Sequence, residues 1–158
     1  MYSRIQIEVI DRFRLDNKLF WHLDVTGSII KKTSCIKSKK PFFYYALVYY
    51  MTDVTIPIAE MISTDHTWPC INYWLTRFLY DLKAFSGKYI LPEKIETDFS
   101  WPLLIAAVLA TNRFHIGIYL AKAFAISTDK NATVSITTII HICSSHDTHD
   151  SKTIGQTL

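Results

Sequence analysis

The segment that most constrains the fold is WHLDVTGSIIKK, residues 21–32. Apolar and polar residues alternate at its start, in the order Trp21, His22, Leu23, Asp24 and Val25. This period of two predicts a strand over residues 19–25 with two different faces, and Gly27 is expected to supply the turn that follows. Asp24 would then lie near the end of a rigid strand, where a carboxylate can be held accurately enough to bind a metal ion. The alternative is an acid that only ends a strand.

A second acid, Asp98, lies in the segment KIETDFSWPLLIAAVLA, residues 94–110. The pattern predicts a short strand over residues 90–98, followed by a buried helix that starts near Ser100. If Asp24 and Asp98 project from adjacent strand ends, they form a two-carboxylate cluster. Such a cluster suits Mg²⁺ or Mn²⁺, because these hard cations prefer oxygen ligands. Turn or capping roles for the two acids are the alternative.

The other segments predict the remaining elements of the chain. The segment PFFYYALVYYM, residues 41–51, is rich in aromatic and β-branched residues, which indicates a central strand buried on both faces. Pro57 cannot donate a ladder hydrogen bond, so the next strand is expected at a sheet edge. We also predict core positions for Trp68, Trp74 and Trp101. The further elements are an amphipathic helix within residues 1–18, that edge strand over 54–64, helices over 66–85 and 115–125, and a strand over 134–143.

The resulting order is three strands, a helix, a strand, two helices and a strand, which indicates the α/β class. It is also the order of a ribonuclease H-like fold. We therefore expect a mixed sheet of five strands with helices on both faces. In that fold the first and fourth strands lie side by side, which would bring Asp24 and Asp98 together.

Length and composition place limits on the class of protein. The 158 residues suffice for one domain, and 49% hydrophobic with 20% charged residues is typical of a globular chain. We divide it into a helical lead-in (1–18), a core (19–146) and a polar tail (147–158). Three widely spaced cysteines and a charged N-terminal segment favour the nucleus or cytoplasm. No membrane partner is expected, and no small-molecule cofactor, since the sequence contains no phosphate-binding or dinucleotide-binding glycine pattern.

A lysine cluster follows the first strand. The segment KKTSCIKSKK, residues 31–40, contains five lysines. Its outer members are candidates for contacts with nucleic acid, and they are Lys31, Lys32, Lys39 and Lys40. A solvated hairpin loop is the alternative.

Three blocks of sequence carry a resemblance to a known family. They are LDVTGSIIKK with the strands KKPFFYYALVYY and IPIAEMIST, then ILPEKIETDFSWPLLIAAV, and finally HICSSH, residues 141–146. In this order they resemble the catalytic domain of DDE/D transposases of the Mutator-like broad group and the transposon-derived proteins related to them. The resemblance covers most of residues 19–146.

The resemblance implies a DNA strand-transferase or nuclease activity. Asp24 and Asp98 match the first two catalytic acids, which coordinate two Mg²⁺ ions. Cys143 and His146 match a Cys-x-x-His pair with a structural or metal-supporting role. Zinc is not expected there, because a zinc site would need two further ligands. DNA is the implied partner.

The chain departs from the family pattern in its third acid. The family places this acid on a helix well beyond the Cys-x-x-His pair, whereas this chain stops at Leu158. We therefore expect a truncated, catalytically inactive relative whose fold is incomplete at the C-terminus. One alternative is a non-enzymatic module that binds protein or DNA, or that self-associates. Another is a small active nuclease in which Glu60 or Asp147 replaces the missing acid.

Overall fold

The computed structural model describes residues 2–13, 19–27, 41–50, 54–129 and 133–143. Five of its elements are strands, and they form one sheet of order β3-β2-β1-β4-β5. Strands β1, β2 and β3 form an antiparallel meander, whereas β4 is parallel to β1, and β5 is parallel to β4. The elements in chain order are α1 (Arg4–Phe13), β1 (Phe20–Gly27), β2 (Phe43–Tyr50), β3 (Thr55–Ser63), α2 (Trp68–Ser86), β4 (Lys94–Thr97), α3 (Trp101–Asn112), α4 (Ile116–Thr128) and β5 (Ile139–Ile142). The structure confirms the α/β class and a mixed sheet of five strands, consistent with a ribonuclease H-like fold.

Strand β1 is longer than its sequence pattern suggested. It continues through Gly27, which pairs with Phe43 of β2, so Gly27 belongs to the ladder and does not form the turn we expected. Strand β2 is central, as predicted, because it pairs with β1 on one side and with β3 on the other. Only one face of β2 is fully buried, however, since residues of the other face, such as Val48, are half-buried and Tyr50 is exposed.

Strand β3 lies at the edge of the sheet, as Pro57 indicated. The pairing with β2 shifts register between Leu47, which faces Ala59, and Val48, which faces Pro57. Ile58 is therefore the extra residue of a bulge, and both Ile58 and Ala59 are buried. The proline thus occupies an irregular position where its missing N–H costs the ladder little.

The core lies between the sheet and helices α2 and α3. Helix α2 buries one continuous face, and the ring of Phe78 on this face packs edge-on against Trp21 of β1, with ring centroids 5.9 Å apart. Gly87 ends the helix in a left-handed conformation, with φ of 71°. Helix α3 is apolar nearly all round and correspondingly buried, and small residues such as Ala106 and Ala107 allow it to approach its neighbours closely.

The opposite face of the sheet has a different character. Its side chains on β1 alternate with the buried Trp21 and Leu23, and none of them is fully buried. The buried contacts of α1, α2 and α3 lie on the Trp21 side of the sheet. We call the other surface the open face; it carries His22 and Asp24.

Helix α4 connects the core to the last strand. Tyr119 is its buried residue, and the Tyr119 hydroxyl accepts a hydrogen bond of 2.7 Å from the backbone N–H of Ile140 in β5. Taken singly, the helices in the ranges given above are too short or too polar to cross a membrane. Helices α3 and α4 reach the required length and composition only as a pair, bent by 78°.

Candidate metal cleft on the open face of the sheet

The register of β1 and β4 brings the two predicted acids to the same level of the sheet. The parallel pairing places Leu23 opposite Thr97; Asp24 is the next residue of β1, and Asp98 is the first residue after β4. Both acids line one cleft with a volume of about 320 Å³. The adjacency expected from the order of elements is therefore present in the structure.

The same cleft collects further side chains that could bind a cation. Because side chains alternate along a strand, His22 shares the face of Asp24, and Glu96 shares that of Asp98. His22 pairs with Glu96, and Glu96 pairs with His141 of β5. The open face thus carries two rows across three parallel strands. The first row is His22, Glu96 and His141, and the second is Asp24, Asp98 and Cys143.

Glu96 is held by positive charge in the first row. Its Oε2 lies 3.2 Å from Nζ of Lys94, and its Oε1 lies 3.8 Å from Nδ1 of His141. Burial raises the pKa of Glu96, but the hydrogen bond and charge of Lys94, with smaller contributions from His22 and His141, outweigh it. The pKa of Glu96 therefore lies below its usual range, so this carboxylate is ionised at neutral pH and already paired.

Asp24 and Asp98 are positioned by local backbone. Oδ1 of Asp24 accepts a hydrogen bond of 2.7 Å from the backbone N–H of Val25, which fixes one carboxylate oxygen against its own strand. The carbonyl of Asp98 accepts a 2.8 Å bond from the N–H of Ser100, the residue that precedes α3. Asp98 is thus close to a helix N-terminus, whose partial positive charge favours the ionised carboxylate.

The donor chemistry of the second row suits a hard cation only in part. Two carboxylates offer the oxygen ligands that Mg²⁺ or Mn²⁺ prefers. Yet among residues placed by the structure, no three His, Cys, Asp or Glu side chains are grouped closely enough to hold a metal ion. The Asp24 and Asp98 pair therefore offers such a cation two carboxylate ligands.

The remaining predicted site residues lie partly outside the residues that the structure describes. Cys143 is half-buried, lines the cleft, and donates its backbone N–H to the Thr97 carbonyl at 2.9 Å. Its sequence partner His146 lies outside the described residues. So do the four candidate nucleic-acid-binding lysines, which are Lys31, Lys32, Lys39 and Lys40.

Two contributors to the site were not identified as functional from the sequence. His141 and Lys94 both contact Glu96. The sequence contains one pattern that could have identified His141. Each of the three parallel strands carries two potential ligands separated by one residue, in the pairs His22 and Asp24, Glu96 and Asp98, and His141 and Cys143.

Comparison with known proteins gives a relative from a mobile element. No protein-family model matches the chain. Over 103 residues, or 65% of the chain, it is 30% identical to a 120.7 kDa protein in the NOF-FB transposable element of Drosophila melanogaster. The match covers 9% of that protein, so the chain spans about a tenth of its relative's length. The similarity points to a transposon-derived origin for the chain.

Proposed function

We propose that this chain is a transposon-derived relative of Mutator-like DDE/D transposases, with a divalent-cation cleft formed by Asp24 and Asp98. The observation that carries the proposal is the register of β1 and β4, because Asp24 on β1 and Asp98 directly after β4 line one cleft. The resemblance of the sequence to such transposases and the relative from a transposable element both agree with it. DNA would be its substrate or ligand.

The cleft is suited to oxygen-bound cations for electrostatic reasons. Two carboxylates with converging charge repel each other unless a cation lies between them, so the folded state gains from binding one. When bound there, Mg²⁺ or Mn²⁺ would polarise a DNA phosphate and activate an attacking water or hydroxyl. The chain's own contribution is to hold one carboxylate on β1, with Asp24 fixed through the Val25 N–H, and the other directly after β4.

We infer that strand transfer is lost or very weak. A two-metal site needs more carboxylate ligands than a pair of aspartates provides, and Glu96 is engaged by Lys94 and His141. The chain would therefore bind DNA and metal without efficient cleavage. A dissociation constant in the millimolar range is expected for Mg²⁺, because such weak sites resemble the low-affinity end of protein cation sites.

Isothermal titration calorimetry tests the metal site. Mg²⁺ and Mn²⁺ are titrated into the wild type and into Asp24→Asn/Asp98→Asn, and heat is expected only for the wild type. The control variant Glu8→Gln/Asp129→Asn removes the same charge from positions outside the cleft and should titrate like the wild type. Equal binding by all three proteins, or by none of them, would contradict the proposal.

A second assay separates binding from catalysis. Supercoiled plasmid is incubated with Mn²⁺ and either wild type or the double variant. We expect no strand transfer and no nicking above that of the double variant. Nicking that depends on Asp24 and Asp98 would instead identify a small active nuclease.

A second candidate function, a self-associating module, is favoured by α4. The helix exposes several large apolar side chains, among them Leu120 and Phe124, and Phe124 is 69% exposed. Exposed apolar patches of this kind mark interaction sites. Sedimentation velocity tests this function by comparing the wild type with Leu120→Ser/Phe124→Ser. A concentration-dependent dimer that the variant lacks would support it, and a monomer in both would exclude it.

A further inference from the structure

A second cavity lies on the helical side of the sheet, away from the carboxylate cleft. It has a volume of about 160 Å³ and opens between α2 and α3 beside the segment that leads to β4. Drug-sized ligands use pockets on the order of 300–1,000 Å³, so this cavity suits one ring or one anionic group. We call it the helix groove, and its lining residues used here are Thr76, Tyr80, Tyr89, Leu109 and Arg113.

Two cations converge on one aromatic ring in the helix groove. Nζ of Lys83 lies 3.9 Å from the ring centroid of Tyr89, and Cζ of Arg113 lies 5.0 Å from the same centroid. Arg113 follows α3 in a left-handed conformation with φ of 60°, which directs the chain away from the helix axis at this point. The groove therefore combines an aromatic surface with a fixed positive charge.

That positive charge affects the pKa of Tyr89. Hydrogen bonds from Lys83 and then from Arg113 lower the pKa of the Tyr89 hydroxyl below its ordinary value. Within the ranges that the structure describes, neither cation forms an ion pair with a carboxylate. Their charge is thus available to an anion from outside the chain.

The two tyrosines of the helix groove are both exposed. Tyr80 is 60% exposed and Tyr89 is 54% exposed. Tyr80 also has a cation beside it, since Cζ of Arg77 lies 5.8 Å from its ring centroid. Aromatic rings interleaved with Lys and Arg form the surface that single-stranded nucleic acids use, because bases stack on the rings and phosphates meet the cations.

We propose that the helix groove binds single-stranded nucleic acid, with a base stacked on Tyr80 or Tyr89 and the backbone phosphates beside Lys83 and Arg113. The positive charge of the groove favours a polyanion as its ligand. The exposed rings favour a polyanion with unpaired bases, which can stack on them, over a duplex or an acidic peptide. This surface is separate from the carboxylate cleft, and the inference does not depend on the function proposed for that cleft.

Fluorescence anisotropy with a labelled oligo-dT strand tests the proposal on the full chain. Tyr80→Ala/Tyr89→Ala is expected to weaken binding about ten-fold or more, with an unchanged dependence on salt. Lys83→Gln/Arg113→Gln should lower the slope of log K against log salt by about 1.4, since each single-strand phosphate contact contributes about 0.7. All four side chains are exposed or half-buried surface groups, and circular dichroism verifies that each variant is folded.

Matched substitutions and competitors complete the test. Tyr73→Ala and Lys88→Gln change an exposed tyrosine and an exposed lysine that do not line the groove, and both should bind oligo-dT like the wild type. A polyglutamate peptide and duplex DNA should compete poorly. Unchanged affinity in both groove variants would overturn the proposal, as would competition by polyglutamate or duplex at the concentration at which unlabelled oligo-dT competes. Calorimetry with Mn²⁺ on the groove variants should match the wild type, which keeps this result separate from that of the cleft.

Discussion

The Asn112 side chain pairs with both backbone groups of Thr138. Oδ1 of Asn112 accepts a 3.1 Å hydrogen bond from the Thr138 N–H, and Nδ2 donates a 3.0 Å bond to the Thr138 carbonyl. The same Oδ1 also accepts from the N–H of Thr137 at 3.0 Å. Thr138 in turn donates its hydroxyl to the Pro92 carbonyl at 2.7 Å. Through these bonds the end of α3 positions the start of β5, and hence His141 and Cys143 beside the cleft.

Replacement of Asn112 by Ala should therefore destabilise the fold strongly. The two buried backbone groups of Thr138 and the partly buried N–H of Thr137 would lose their partner, and each such loss costs about 1–3 kcal/mol, so we expect a decrease of roughly 3 kcal/mol or more in the free energy of unfolding. Urea denaturation measures this decrease. The control Asn72→Ala removes an amide whose Oδ1 accepts a long hydrogen bond of 3.5 Å from the Thr76 hydroxyl, and should change stability by less than about 0.5 kcal/mol. A loss below about 1 kcal/mol for Asn112→Ala would contradict the role of this side chain.

Release of Glu96 should strengthen cation binding in the cleft. Lys94 neutralises Glu96 at 3.2 Å and adds positive charge near Asp98, so Lys94→Gln should tighten Mn²⁺ binding by about 2- to 5-fold. Calorimetry measures the change, and Lys88→Gln, which removes an exposed lysine outside the cleft, should leave the affinity unaltered. Weaker binding by Lys94→Gln would show that Lys94 supports the site.

The buried Tyr45 should make the fold sensitive to alkali. Burial, with smaller effects from Cys70 and Asp65, raises the pKa of Tyr45 to about 12 from an ordinary value of 10.0. Because the unfolded chain loses this proton first, the stability that Tyr45 contributes is complete below pH 10 and is lost as the pH rises towards 12. Urea midpoints measured across this range should fall more steeply for the wild type than for Tyr45→Phe. Parallel curves would contradict the expectation.

Phe78 is expected to be a major contributor to core stability. Its ring is fully buried and packs edge-on against Trp21 at 5.9 Å and Tyr2 at 5.1 Å between centroids. Phe78→Ala should cost about 3–5 kcal/mol, because it combines lost burial with a cavity. The same substitution at the exposed Phe124 should cost less than about 1 kcal/mol. Thermal or urea unfolding compares the two variants directly, and equal losses would argue against the packing seen here.

Periodic patterns in the sequence predicted most elements correctly. Helix α2 and the class of the sheet followed from spacing, and the parallel neighbourhood of β1 and β4 followed from the order of elements. The burial of residues at the start of a helix was predicted less well. Trp68 and Trp101 were expected in the core but are 41% and 54% exposed, whereas Trp74 is buried as expected. Both exposed tryptophans are the first residue of a helix and precede a proline, where the periodic face of the helix is not yet established.

The sequence predicted candidate site residues for single strands, but apart from Asp24 and Asp98 it did not predict how the strands bring those residues together. Asp24 and Asp98 stood out because each follows a strand-like alternation. The positions of Lys94 and His141 beside Glu96 depend on the register between β4 and β5, and residues distant in sequence set that register. Short strands such as β5, with four residues, leave too brief a pattern for their pairing to be read from sequence.

The pairing of β1 with β4 also implies a sequence of events during folding. The meander joins near neighbours, whereas Trp21 meets Ile95 across about seventy residues of chain. Closing so long a loop is entropically costly until α2 has docked and brought the ends together. The cleft that Asp24 and Asp98 line is therefore completed only in the last steps of folding. If the cleft binds a divalent cation, that cation should accordingly slow unfolding more than it accelerates folding.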